Sequence, residues 1–326
     1  MAETLLEAVS NKAGLRKIRR LVEDGCDITA QDPFGKTALH CALELQHGDV
    51  CEYLVGKMAE QGRRLSARLP QAVTSWAREE RWFPALESVV PVRDGSTSLT
   101  RDGYLALLEF LAESLGLPET IVAKILDDAE FWVTDAARRE DEIYIDEDMR
   151  VKPYIKLRST ALQGYLRRID IVTVSHDQGW SSEGIHNSYM GSYTWFDLGV
   201  IRHGEEEEEE EEEEDDYCYC FYGEFEDDEE DDDEDDEDEG EYEGEGEAEE
   251  EGKKKDILEL QSNVCASDKR RTHYNEIRPR APAIADWMDS IKPGDCIAVY
   301  PRAKYNAWVN YVKCVEIKLW YAQWHI

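Results

Sequence analysis

The run Ser175-His176-Asp177 contains the three side-chain types that a serine hydrolase uses as nucleophile, base and orienting acid. It ends a β-rich stretch, 166–174, so the three residues are expected at the end of a strand. Neighbouring side chains of a strand point to opposite faces, and three consecutive residues therefore cannot relay a proton. A turn stabilised by hydrogen bonds of His176 and Asp177 fits the pattern better. Because the sequence also lacks a Gly-rich phosphate loop, it predicts a protein that is not an enzyme.

Metal binding has equally little support in the sequence. His176, Asp177 and His273 could ligate a metal, but they lack a diagnostic spacing. The C-x-C pair in Cys218-Tyr219-Cys220 has carboxylates and aromatic residues around it and no second Cys or His pair, which a structural zinc site requires. Eight cysteines in 326 residues are too few for a disulfide scaffold and indicate reduced, buried thiols. We therefore expect no metal and no cofactor.

Aromatic and polar residues of the last third form the candidate ligand-binding set. They could line a shallow site for a sugar or a peptide at one end of a β-sandwich. The alternative is that the same residues pack in the core and loops, and clustering of Trp180 with the polar candidates would favour a site. The candidates are His176, Asp177, Trp180, Tyr193, Trp195, Arg302, Trp308 and Asn310, with Tyr189 as a further aromatic residue.

Short β-rich runs separated by turns must position this set. Such runs are typical of an antiparallel β-sandwich, here of the galactose-binding-like or jelly-roll type, over residues 161–326. Lys292-Pro293-Gly294-Asp295 has the residue types of a tight turn. The strand-like runs are 166–174, 193–198, 257–264, 272–276, 295–300 and 308–317.

The same region resembles a module of fungal proteins whose role is undefined. The resemblance implies the sandwich layout and little about function. By analogy of layout it is similar to galactose-binding-like sandwiches that follow F-boxes and select glycoprotein substrates, so carbohydrate or glycoprotein binding is an alternative. The matching strings are Ser175 to Ser181, Tyr193 to Phe196, Leu260 to Ser267, Lys292 to Asp295 and Pro301 to Val312.

Residues 1–62 resemble ankyrin repeats. The string Asp32-Pro33-Phe34-Gly35-Lys36-Thr37-Ala38-Leu39-His40-Cys41-Ala42 is similar to the opening of one repeat, and 14–27 to the second helix and loop of the preceding one. Gly35 suits the tight turn and Thr37 can cap the following helix. The resemblance implies a structural role for His40. Two repeats seldom bury enough apolar surface alone, so we expect helices within 69–90 to complete a unit at 1–95.

Residues 96–160 are predicted to form a helical connector. Leu117-Pro118-Glu119 begins a helix in which Ile121, Ile125 and Leu126 are expected to form one apolar face. The segment 117–132 resembles the first helix of an F-box, whose role is to dock a ubiquitin-ligase adaptor. The later helices of that family do not follow, and a plain core helix is the other interpretation.

The negative charge of the chain is concentrated in one segment. Residues 205–252 hold 34 of the 74 acidic residues and no Lys or Arg, so the rest carries 40 acidic against 37 basic residues. Self-repulsion predicts a disordered acidic insert between two strands of the sandwich. Aromatic residues from Tyr217 to Phe225 interrupt it, as in acidic chaperones of histones and ribosomal proteins. A solubilising filler is the other interpretation.

These features together predict an α+β multidomain, non-enzymatic adaptor for protein–protein interactions. The ankyrin-like face and the sandwich are expected to bind partner proteins, with substrate recognition for ubiquitination as one use. The alternative is a chaperone for basic clients. No basic field favours nucleic acid, and no apolar run is long enough for a membrane span. The N-terminus lacks the pattern of a signal peptide, which favours the cytoplasm or nucleus.

Overall fold

A computed structural model of the chain provides the architecture. It describes residues 3–65, 69–90, 92–93, 99–147, 149, 152–159, 164–181, 186–204, 257–305 and 307–323. The acidic insert predicted at 205–252 and the C-x-C pair Cys218 and Cys220 lie outside the described residues.

A group of short helices forms the N-terminal part and shares one core, which includes Ile18, Leu39, Leu54 and Leu86. A capping box of Thr4 and Glu7 starts the first helix. The helices are α1 (Leu5–Ser10), α2 (Leu15–Glu23), α3 (Ala38–Glu44), α4 (Gly48–Glu60), α5 (Gln71–Thr74) and α6 (Phe83–Val89), with a 3-10 turn at Ser75–Ala77. The two-residue strands β1 (Leu69–Pro70) and β2 (Val92–Arg93) pair in parallel beside them.

The turn before α3 is built as its residue types predict. Gly35 has a φ of +82°, a backbone conformation that favours glycine, and the guanidinium of Arg280 occupies the space where a Cβ would lie. Arg280 Nη1 donates to the Phe34 carbonyl at 2.8 Å. His40 Nδ1 accepts the backbone N–H of Thr37 at 3.1 Å, which gives this histidine a structural partner.

Two longer helices, α7 (Arg101–Leu115) and α8 (Glu119–Asp128), form a separate pair with its own small core. Thr100 caps α7 by accepting the Gly103 N–H, and Gly116 ends it in the left-handed conformation. The connector predicted as helical over 96–160 is helical only to Asp128, and its later part contains the strands Val133–Arg139, Ile143–Ile145 and Ile155–Arg158. Of the helices in the described ranges, none has both the length and the low charge that crossing a membrane requires.

Two antiparallel sheets form the rest of the described chain and confirm a mixed α+β fold. In one sheet the order is β5 (Ile155–Arg158), β10 (Cys296–Ala303), β7 (Thr194–Ile201), β8 (Ile257–Ser262). In the other it is β3 (Val133–Arg139), β11 (Asn310–Gln323), β6 (Gly164–His176), β9 (Arg271–Ile277), with β4 (Ile143–Ile145) also paired to β11. Helix α9 (Pro282–Ser290), which the sequence analysis missed, connects β9 to β10.

The two sheets share one hydrophobic core, with Ile171 and Ile317 from one sheet and Phe196 and Ile297 from the other. Strands β7 and β8 are direct neighbours, with Phe196 opposite Gln261. The chain between them therefore joins two adjacent antiparallel strands. The acidic stretch falls in this connection, between two strands of the same sheet.

Candidate functional site

A buried polar network joins the two sheets at one end. Asn310, fully buried at the start of β11, donates to the carbonyls of Trp195 and Arg302 at 3.0 and 3.2 Å. Its Oδ1 accepts from Nδ2 of Asn263 at 2.9 Å, and Asn263 also donates to Thr194 at 3.0 Å. Every amide hydrogen of the two asparagines has an acceptor, so the candidate Asn310 serves as a structural link between the sheets.

The three residues of the Ser-His-Asp run lie in three different surroundings. Ser175 Oγ donates to Oδ1 of Asn263 at 2.7 Å, inside the same network. His176 stacks on Tyr311 with ring centroids 4.7 Å apart, and its Nδ1 donates to the Asp177 carbonyl at 2.7 Å. The Asp177 carboxylate accepts the Ala266 N–H at 3.2 Å, and burial raises the pKa of this carboxyl to about 7. The side chains form no relay.

Two further candidates share one carboxylate at the edge of the network. Asp197 accepts the indole N–H of Trp195 at 3.0 Å and Nε of Arg302 at 2.8 Å. Arg302 also lies over the ring of Tyr300, 5.5 Å from its centroid. This ion pair holds β7 and β10 together and fixes the polar atoms of Trp195 and Arg302.

The remaining aromatic candidates are brought together in part. Tyr193 lies edge-on to Trp308 and to Tyr305, with centroids 5.0 and 4.6 Å apart. Trp180 is 55% exposed, in a loop that Gln178 anchors by donating to its carbonyl at 3.1 Å. The structure thus forms an aromatic cluster around Tyr193 and leaves Trp180 at the surface.

A buried carboxylate that the sequence analysis missed joins the N-terminal helices to the sheets. Glu44 of α3 is 4% exposed, and Lys36 Nζ lies 3.1 Å from each of its oxygens. It also accepts the Tyr189 hydroxyl at 3.1 Å and the backbone N–H of Tyr274 at 3.0 Å. Burial acts to raise the pKa of Glu44, but Lys36, His273 and the hydrogen bond from the Tyr274 N–H outweigh it and lower the pKa. Strand β9 lies at the edge of its sheet, where backbone N–H groups have no further strand to pair with. Glu44 therefore supplies the acceptor for the Tyr274 N–H.

A charged cleft of about 480 Å³ lies between α8 and the segment after β9. Two of its cations are paired: Arg167 lies 2.7 Å from Asp127, and Arg278 lies 2.9 Å from Glu130. Trp132 contributes the aromatic wall and donates to Asp127 at 2.9 Å. Its other two cations are paired as well, Lys124 with Asp128 and Arg280 with Glu276, so each lining cation already has a carboxylate partner.

The pair α7–α8 carries the largest group of exposed apolar side chains. Leu126 does not share a face with Ile121 and Ile125, as the sequence analysis expected, since it is buried beside Val122 against α7. At 3.6 residues per turn, positions 122 and 126 share one face and 121 and 125 another. Ile121 and Ile125 are 47% and 45% exposed, and Leu117, one turn earlier, is 36% exposed. These three residues form the α8 stripe.

Comparisons with known proteins give no role for the site, so its role is argued from its geometry. The chain matches no protein-family model and no curated protein. Over the described residues, three or more His, Cys, Asp or Glu side chains nowhere gather as a metal-ligand set.

Proposed function

We propose that the protein is a non-enzymatic adaptor that binds a partner protein through the α8 stripe. The observation that carries the proposal is the concentration of exposed apolar surface. Of the 12 large apolar residues that are exposed in the described chain, six lie between residues 110 and 131. An apolar group of this kind, rimmed by polar residues, marks an interaction surface more often than scattered single side chains do.

The chemistry of the rim selects the kind of partner. Glu113, Glu119 and Asp128 are exposed around the stripe, and Lys124 is its one neighbouring cation on α8. Apolar residues spaced by four match an amphipathic helix that presents its own apolar face. The acidic rim favours a helix with Lys or Arg beside that face.

Other features support the finer parts of the proposal. The Gly35 turn and the Thr37–His40 contact fit ankyrin-like repeats, whose outer face would bind a second protein. The core shared by two antiparallel sheets fits a β-sandwich. The F-box-like beginning of α8 extends the proposal to substrate recognition for ubiquitination, with the stripe as the docking face. We propose action in the cytoplasm or nucleus.

The test compares Ile121→Asp with Tyr144→Asp, which places the same charge on a similarly exposed residue (41%) of β4. Proximity labelling in the native cell identifies proteins that the wild type and Tyr144→Asp recover and Ile121→Asp does not. Each such protein is then purified, and its dissociation constant is measured. We expect Ile121→Asp to weaken binding at least tenfold, as for a central apolar residue of an interface. Equal affinities, or equal loss with both variants, would exclude the stripe as the docking surface.

A second candidate function, a chaperone for basic clients, is favoured by the 34 acidic residues of 205–252. Since β7 and β8 are adjacent, with Gly199 opposite Ile257, a short Gly-Ser turn can replace the stretch without changing the sheet. The wild type and the shortened chain are each mixed with core histones in moderate salt. Loss of binding in the shortened chain supports the chaperone function, and equal binding removes it.

Carbohydrate binding has less support than either function. A sugar site needs polar side chains whose donors and acceptors face the ligand. The amide of Asn310 and the Nε of Arg302 are engaged in internal hydrogen bonds instead.

A further inference from the structure

Arg271 is a buried cation without a counter-ion in the described chain. It begins β9 and is 5% exposed. Its Nε has no hydrogen-bond partner, and no carboxylate of the described residues pairs with it. Burial lowers the pKa of its guanidinium, with Tyr189 as a smaller, opposing influence. A buried guanidinium without a partner is strongly unfavourable, so such groups are normally found with an anion.

Two lysines lie in segments next to Arg271, and one of them, Lys269, is only two positions before it in the chain. The backbone N–H of Tyr189 donates to the Ser10 carbonyl at 3.1 Å, which brings the turn with Lys12 to this part of β9. Burial and the repulsion of Arg271 and Lys269 lower the pKa of Lys12. Lys12 is half-buried and Lys269 is exposed, and neither pairs with a described carboxylate. Three cations of neighbouring segments therefore lie here, and none of them forms an ion pair with a carboxylate of the described residues.

A second unsatisfied polar side chain lies beside Arg271. His273 is two residues further along β9, on the same face of the strand, and it is fully buried. Neither of its ring nitrogens has a hydrogen-bond partner within the described part of the chain. The ring of Tyr189 packs against it with centroids 5.8 Å apart. Arg271 and His273, two of the buried residues with unpartnered polar atoms, thus lie together on one face of β9.

We propose that Arg271, Lys12 and Lys269 form a binding site for a phosphate dianion, either inorganic phosphate or the phosphate of a monoester. A guanidinium binds phosphate oxygens through two parallel hydrogen bonds, and the two lysines supply the further positive charge that a dianion needs. Lys269 is exposed and Arg271 is buried, so we place the approach of the anion at Lys269. The site is separate from the α8 stripe and is independent of the adaptor function.

Arg270 shows how an ordinary cation of this segment behaves, and it supplies the control. It is exposed and pairs with Glu142, so its charge already has a partner. We therefore compare Arg271→Met with Arg270→Met, two substitutions of the same type at adjacent positions. Lys269→Met, at an exposed position that folding tolerates, is the second variant of the site.

The experiment measures the unfolding temperature of the full chain in potassium phosphate and in potassium chloride at equal ionic strength. Saturating phosphate should raise the unfolding temperature of the wild type and of Arg270→Met by about 5 °C. Arg271→Met should lose the shift, and Lys269→Met should need at least tenfold more phosphate for half the shift. An unchanged wild type, or equal shifts in Arg270→Met and Arg271→Met, would overturn the proposal.

The same assay separates the two sources of the anion. Phosphoserine, serine and inorganic phosphate are titrated in turn, and each is scored by the concentration that gives half the shift. Phosphoserine acting at lower concentration than phosphate assigns the site to a monoester, and the reverse order assigns it to the free ion. A shift with serine as large as with phosphoserine would contradict recognition of phosphate.

Discussion

Two buried polar clusters lie in different parts of the molecule, and they differ in how fully their hydrogen bonds are made. The polar bridge between the sheets consists of Ser175, Thr194, Asn263 and Asn310, and each amide hydrogen in it has an acceptor. The helix–sheet junction consists of Lys36, Glu44, Arg271 and His273. There both oxygens of the Glu44 carboxylate accept hydrogen bonds, while Arg271 and His273 have polar atoms without partners in the described chain.

The difference separates a structural role from a binding role. A fully satisfied buried network fixes the relative position of the elements it joins and has no capacity left for a ligand. Buried groups that stay unsatisfied lower stability, and they are found where a ligand completes them. The candidate Asn310 belongs to the first class, while Arg271 and His273, which were not in the candidate ligand-binding set, belong to the second.

The largest expected effect is at Glu44, which holds the junction together. Glu44→Ala should lower the free energy of unfolding by about 3–5 kcal/mol, because it leaves the buried Lys36 without a counter-ion. Urea denaturation measures the change. Glu52→Ala is the control, since Glu52 pairs with Arg81 at the surface, and it should change stability by less than about 1 kcal/mol. Equal effects of the two variants would contradict the role assigned to Glu44.

A smaller loss is expected in the polar bridge. Asn263→Ala removes the hydrogen bonds to Thr194 and Asn310 and leaves buried polar partners unsatisfied, so the free energy of unfolding should fall by about 3 kcal/mol. Lys304→Ala, at an exposed position between β10 and β11, should change it by about 0.5 kcal/mol or less. If Asn263→Ala were as stable as Lys304→Ala, the network would not join the sheets.

The third prediction concerns the pH dependence of the junction. Burial lowers the pKa of His273 from 6.5 to about 4. The unfolded chain then binds more protons between these values, so stability is fully present above pH 6.5 and is lost as the pH falls to 4. His273→Met should remove this part of the pH dependence, worth up to about 3 kcal/mol between pH 7 and 4.

Urea denaturation at pH 7 and pH 4.5 measures the slope for His273→Met and the wild type. Burial also lowers the pKa of His40 to about 4, so part of the slope should remain in the variant. Asp177 acts in the opposite direction, since burial raises the pKa of its carboxyl to about 7. An identical slope in both proteins would show that His273 stays accessible to protons in the folded state.

The sequence predicts those parts of the fold that depend on neighbouring residues. The β-rich runs became strands, and the Gly35 turn with its Thr37 cap formed where the residue types indicated. In α8 the helix was predicted, but Leu126 was assigned to the wrong face, because a helix with apolar residues on two sides does not show which side is buried.

The site depends on contacts that no local pattern contains. Glu44 meets the backbone of Tyr274 across a separation of 230 residues. Asn263 and Asn310 lie 47 positions apart, in segments that read as an ordinary strand end and a strand start. A buried Arg271 was equally invisible, since the run Lys269-Arg270-Arg271 looks like a solvated basic patch.

The most direct test of the contrast between the two clusters is thermal unfolding of Arg271→Met and Arg302→Met in phosphate-free buffer. Arg302 pairs with the buried Asp197, so its removal leaves a carboxylate without its cation, whereas Arg271 has no such partner in the described chain. We predict that Arg302→Met unfolds at a lower temperature than the wild type and Arg271→Met at a higher one. A lower unfolding temperature for Arg271→Met, equal to that of Arg302→Met, would contradict the account.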